Sequence, residues 1–346
     1  MHIYICTKNA GPHMNQLTKT IITLGLLLAG AVYSYGCKET KSSRAPAAQD
    51  KPDEEKPTNK DDDTPSNEDE SPDDRIKAPD RSAKPEPTEC IKKITQQSQK
   101  PILCRGINFN LTVSKKCAGG GCGVIVDVHG WTMNAFLQEQ NTGLAKLGKE
   151  KGYVVIQPTA PLASWNMSHY PVVHDFLKQA IKAFAIDRDK VHFTGFSQGS
   201  MMTWYFLCNH GDMLASAAPI AYAGGLCYGK GKENPAIPIL YHHGESDGFS
   251  SFNNAKATRQ NIIDGLDMKL VDQKETNDFE RSKYTNEKGV VLETIFHKYT
   301  TYPTHGIGHC FPNPPIKTPY GCTKEATYSW GKEVMRFFES HSRRKL

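Results

Sequence analysis

One pentapeptide, read with its surroundings, limits the fold of this chain more than any other feature. Gly195-Phe196-Ser197-Gln198-Gly199 follows the short segment Lys190–Gly195 and precedes a stretch rich in large apolar residues, Met201, Met202, Trp204, Phe206 and Leu207. The run before it reads as a buried strand and the stretch after it as a helix. A serine between glycines at a strand-to-helix junction occupies a turn so sharp that its flanking residues must be small. That turn lifts the hydroxyl out of the sheet and aims the following N–H at whatever reacts with it. Ser197 is therefore the candidate nucleophile, and the Gln198 N–H a candidate donor to a developing oxyanion.

The segments on either side repeat the same alternation. Gly123–His129 and Tyr153–Gln157 are near-continuous apolar runs, as strands covered on both faces should be. Further strands are expected near 217–221, 237–242 and 290–297. Helices are expected over 135–151, over 172–186, from Gln198 onward and over 324–338. Alternating Ile107, Phe109, Leu111 and Val113 predict an antiparallel edge hairpin within 104–113. Strands alternating with helices predict an α/β fold around a mostly parallel sheet.

A serine needs a base, and the base needs a carboxylate to orient it. In this architecture the chain order is serine, acid, histidine. After the strand at 237–242 comes His243-Gly244-Glu245-Ser246-Asp247, where Asp247 is the preferred acid and Glu245 its competitor. After the last strand comes His305-Gly-Ile-Gly-His309-Cys310, a glycine-rich loop able to turn an imidazole inward. His309 is preferred over His305 because Gly306 and Gly308 precede it and Cys310 can anchor it. His297 ranks third, as part of the strand. A second oxyanion donor is expected from the loop at His129-Gly130-Trp131, through the Trp131 N–H. Trp165, in the loop after the second strand, is a candidate for the substrate cleft, with plain packing as the equal alternative.

Together these stretches resemble the extracellular esterase and polyhydroxybutyrate-depolymerase family of the α/β-hydrolase fold, which includes feruloyl and acetylxylan esterases. The resemblance spans most of residues 104–340. It rests on His129-Gly130, on Gly195–Gly199, on the His-Gly-x-x-Asp pattern ending at Asp247, and on Gly308-His309 before Phe311-Pro312. It implies a triad of Ser197, Asp247 and His309, an oxyanion hole of Trp131 and Gln198, and no metal or organic cofactor. Two departures, Trp131 where many relatives carry Cys and Cys310 just after the histidine, bear on pocket shape. A peptidase of the same fold is the second enzymatic reading; a binding lipoprotein that kept the fold without the reaction is the non-catalytic one.

The rest of the chain bears on location. Lys19 precedes the apolar run Ile21–Val32, too short to span a bilayer and suited to an export signal within residues 1–37. Cys37, after Ser34-Tyr35-Gly36, is a candidate for lipid attachment, and secretion with cleavage near Ala29-Gly30-Ala31 is the alternative. Residues 38–88 hold eight prolines and one large aliphatic residue, Ile76. That composition predicts a disordered linker, leaving 89–346 as the catalytic domain. The formal net charge of +5 comes from scattered lysines and fits no nucleic-acid partner. An ester substrate, possibly polymeric, and a monomeric state are expected. Eight cysteines beyond Cys6 and Cys37 suit an oxidising compartment. Pairing across the shortest loops predicts Cys90–Cys104, Cys117–Cys122, Cys208–Cys227 and Cys310–Cys322, with metal ligation by Cys117 and Cys122 as a minor alternative.

Overall fold

The computed structural model describes residues 84–93, 101–301 and 307–343. The expectations for the export signal, for Cys37, for most of the linker and for His305 fall outside the described residues. Ten strands form one sheet in the order β1-β2-β4-β3-β5-β6-β7-β10-β9-β8. They are β1 (Ile102–Cys104), β2 (Ile107–Val113), β3 (Gly123–Val128), β4 (Tyr153–Thr159), β5 (Val191–Phe196), β6 (Ser216–Ile220), β7 (Ile239–Gly244), β8 (Lys269–Glu275), β9 (Phe279–Thr285) and β10 (Val291–His297). The six central strands β4, β3, β5, β6, β7 and β10 run parallel, and antiparallel hairpins close both edges. The edge hairpin expected near 104–113 is β1–β2.

Every residue of β3, β5, β6 and β7 is buried, which accounts for their mainly apolar composition. Side chains still alternate between two cores. Val124, Val126 and Val128 join Phe176, Met202 and Phe206 on one face. Ile125 joins Leu144, Trp330 and Val334 on the other. Helices α3 (Tyr170–Ala183), α4 (Gln198–Asn209) and α5 (Phe252–Gly265) supply the first face. Helices α1 (Ala135–Thr142), α2 (Leu144–Lys151) and α6 (Trp330–Ser340) lie against the second. In α6, Trp330, Val334, Phe337 and Phe338 recur at helical spacing and are all buried. Full burial of each such side chain is worth about 1.5–3 kcal/mol.

Three differences from the sequence reading have physical causes. The single helix expected over 135–151 is two, because Gly143 takes a left-handed conformation (φ 62°) that ends α1 and starts α2. Helix α5 was not expected, since only Ala255, Thr258 and Ile262 are buried along it. Strands β8 and β9 were not expected either; β8 is exposed at every position, so no apolar alternation marks it.

The four disulfides pair as the short-loop partition predicts, with Cα separations between 5.1 and 5.6 Å. Cys117 and Cys122 are bonded to each other, which removes them as metal ligands. Among the described residues no helix is long and apolar enough to cross a membrane.

Candidate active site

The strand order reverses between β3 and β5: the chain passes from β3 to β4 on one side, then crosses to β5 on the other. The loops leaving β3 and β5 part at that point, and ligands of open α/β sheets bind there. Ser197 sits at this reversal as the residue between β5 and α4, with φ 53° and ψ −112°. A non-glycine residue held there signals a backbone constrained for function. The flanking glycines are a steric necessity. A Cβ on Gly195 would strike the Gly199 backbone, and one on Gly199 would strike Val128 O at the end of β3. The Ser197 N–H is fixed by Ile220 O of β6 (3.1 Å).

The loop after β3 is built around His129, which is fully buried. Its Nε2 accepts the Ala160 N–H (2.9 Å), so the ring proton is on Nδ1 and is donated to Gly130 O (2.6 Å). Burial, opposed by that bond, lowers the His129 imidazole to about 4, which keeps this tautomer neutral at ordinary pH. Because a trans peptide sets its C=O and N–H in opposite directions, a Gly130 carbonyl turned to the core turns the Trp131 N–H toward the surface. Gly130 itself lies against Phe196 and Ser197 Cβ. Among the described residues, neither the Trp131 nor the Gln198 N–H has an acceptor.

Asp247 lies in the turn after β7. Its Oδ1 accepts the Phe249 and Ser250 N–H groups (2.8 and 2.9 Å), and its Oδ2 bonds His309 Nδ1 at 2.7 Å. Burial alone would raise this carboxyl; the His309 imidazole and the Ser250 amide reverse that and hold it below the usual value. The competitor Glu245 contributes its backbone N–H to His297 O and makes no side-chain bond to His309. The acid and histidine loops meet through glycine: a Cβ on Gly244 would collide with Gly308 O. Gly308 N–H also bonds Ser246 O (3.0 Å). The His309 ring is flanked by Phe196 and Phe249, with centroids 4.7 and 4.9 Å away. Just beyond it, Cys310–Cys322 closes a strap further tied by Phe311 N–H to Tyr320 O and Cys322 N–H to Phe311 O. His297 is the last residue of β10 and is fully buried.

Ser197 and His309 line one cavity of about 350 Å³ with Trp131, Thr132, Phe196, Phe249, Thr301, Ile307, Pro319 and Tyr320. No hydrogen bond joins Ser197 Oγ to His309 among the described residues. Such contacts often tighten only around a bound substrate. Trp165 is not on the cavity wall. It is 5 % exposed and packed under the β3 loop, where its Nε1–H donates to His129 O (2.9 Å) and its N–H to Gln198 Oε1 (2.9 Å). The packing alternative for Trp165 is the one its surroundings support. Six cavity residues escaped the sequence reading: Thr132, Phe249, Thr301, Ile307, Pro319 and Tyr320. They share no motif, and the only signal was that each lies within a few residues of a picked one or of Cys322.

The architecture has a solved counterpart. An acetyl xylan esterase from Aspergillus awamori superposes with a TM-score of 0.51 over 71 % of this chain and 97 % of that one, at 16 % identity. The chain has the α/β-hydrolase fold. No protein-family profile matches this chain. It is similar in sequence to a bifunctional acetylxylan esterase/xylanase of Neocallimastix patriciarum, 25 % identical over 146 residues, covering 41 % of this chain and 22 % of that protein. It is also similar to a probable acetylxylan esterase A of Aspergillus clavatus, 30 % identical over 115 residues, covering 30 % and 37 % respectively. The chain thus spans well under half the length of the curated relatives it matches.

Proposed function

We propose that this chain is a serine carboxylic-ester hydrolase working through an acyl-enzyme. The observation that carries the reading is a strained Ser197 at the elbow, lining one cavity with a histidine bonded at 2.7 Å to a buried aspartate. Asp247 holds the His309 Nδ1 proton, which leaves Nε2 as the basic nitrogen. Ser197 Oγ attacks the ester carbonyl and passes its proton to Nε2. The Trp131 and Gln198 N–H groups stabilise the oxyanion. His309 then protonates the departing alcohol. A water enters, gives a proton to His309, and its oxygen attacks the acyl-serine; collapse releases the acid and returns the proton to Ser197.

The substrates that fit this reading are esters linked to polysaccharide, hydroxycinnamoyl esters or polyhydroxyalkanoates, and the names of the relatives favour the first class. The apolar run at 21–32 and the four disulfides support an exported protein. Cys37 is its candidate lipid anchor, and the segment 38–88 a tether to a monomeric domain. Labelling with a fluorophosphonate probe tests the central claim. The wild type should be labelled once, and Ser197→Ala should stay folded, resist the probe and lose hydrolysis of p-nitrophenyl acetate. Near-native turnover by that variant would remove Ser197 as nucleophile.

A further inference from the structure

The β3 loop is held in a conformation that its own sequence disfavours. Thr132 has φ 63°, and a β-branched residue in that region is a genuine outlier. Within its neighbourhood, the Thr132 N–H bonds Ala163 O (2.9 Å) and the Met133 N–H bonds Gly130 O (3.3 Å). The Thr132 hydroxyl donates to Trp131 O at 2.6 Å. Having spent its single proton there, Oγ1 can only accept from its other neighbour, the Tyr320 hydroxyl 2.8 Å away. Tyr320 OH also lies 3.5 Å from Thr132 O. The Tyr320 phenol is therefore the donor that closes the chain Tyr320–Thr132–Trp131.

Tyr320 belongs to the strap closed by Cys310–Cys322, and its carbonyl accepts the Phe311 N–H (2.9 Å). His309 immediately precedes that strap. One covalently closed segment thus reaches the histidine at one end and the β3 loop at the other, across the cavity that holds Ser197. His129 fixes the Gly130–Trp131 peptide from the core side, through Gly130 O. The next peptide is tied by the Thr132 N–H to Ala163 O, while its carbonyl, Trp131 O, is held by the Thr132 hydroxyl and, through it, by Tyr320.

We propose that Tyr320 is a positioning residue for the oxyanion hole, acting through Thr132 to hold the Trp131 N–H in place. The inference rests on the serine-esterase reading. Removing an oxyanion donor outright costs about 10²–10³ in kcat; loosening one that stays present should cost a fraction of that, about tenfold. The test measures kcat and KM on p-nitrophenyl acetate, and the affinity for a trifluoromethyl ketone that forms a tetrahedral oxyanion on the serine. Tyr320→Phe and Thr132→Val should each lower kcat about tenfold with KM changed less than about twofold, and weaken the ketone to match. Thr132→Ser keeps the hydroxyl and should retain near-native kcat. The double variant Tyr320→Phe/Thr132→Val should be no worse than either single one, because both break one chain of bonds. Unchanged kcat with raised KM in Tyr320→Phe would make Tyr320 a substrate contact and overturn the proposal, as would additive losses in the double variant. Ser197→Ala separates the two claims: if it is inactive while Tyr320→Phe keeps full kcat, only the positioning role falls.

Discussion

Asp127, near the end of β3, and Asp247, in the turn after β7, are both almost wholly buried, yet their carboxyl groups shift in opposite directions. Burial drives Asp127 up to about 6, and the bonds it accepts from Gln138, Gln157 and Thr142 only moderate the rise. Asp247 accepts two backbone N–H groups and an imidazole, and these overcome burial. The difference lies in what the partner can carry. Amides and hydroxyls have fixed, neutral dipoles, whereas an imidazole can hold a positive charge, and a nearby carboxylate stabilises that charge. Glu139 adds like charge near Asp127. One aspartate therefore ties β3 and β4 to α1, and the other is poised to stabilise an imidazolium.

Exchanging each acid for its amide separates these roles. Asp247→Asn turns an N–H₂ toward His309 Nδ1 and favours the wrong ring tautomer. We expect kcat to fall by about 10⁴, as in the serine-triad template, with the melting temperature little changed. Retention of more than a tenth of the activity would break the comparison. Asp127→Asn presents a donor to a site already crowded with donors and should cost about 1–3 kcal/mol of stability in denaturant titration. The activity of its folded fraction, normalised by active-site titration, should stay within about twofold. A large loss of kcat there would mean that Asp127 also shapes the β3 loop.

The smallest effect is in pH dependence. Burial lowers His129 to about 4 and His192 and His297 to about 3, and lowers His242 well below the ordinary value. Unfolded chains take up these protons from about pH 6.5 downward while the native state refuses them, so stability should fall as pH drops from 6.5 toward 4. Asp127 works against this trend. Its native carboxyl gains a proton near pH 6, ahead of the unfolded chain near 3.8, so its stabilisation is present at low pH and lost as pH rises through 6. Asp247 contributes stability above about 3.8 that disappears as pH falls through its lower native value. Asp127→Asn should therefore steepen the acid decline between pH 6 and 4, by at most about 1.4 kcal/mol per pH unit. Parallel curves for wild type and variant would show that Asp127 is ionised in the native protein across that range.

The parts legible in the sequence were those in which local chemistry and tertiary role coincide. The apolar runs of β3, β4, β5 and β7 had to be buried strands, because nothing else covers so many adjacent apolar residues. The glycines around Ser197 followed from backbone crowding that any such turn must meet, and the glycine before His309 from the freedom a loop needs to turn an imidazole inward. Strand β8 was not legible, since an exposed edge needs only a partner's backbone and leaves no mark in side-chain type, and β9, between β8 and β10, buries only Phe279 and Ser282. Only the folded chain could decide that Trp165 holds a loop from below instead of lining the cavity. The same is true of Tyr320, 188 residues from Thr132, whose phenol meets that hydroxyl only once a closed strap has crossed the sheet. Periodicity and turn chemistry act over a few residues, whereas a single hydrogen bond between distant loops has no local sequence cost to betray it.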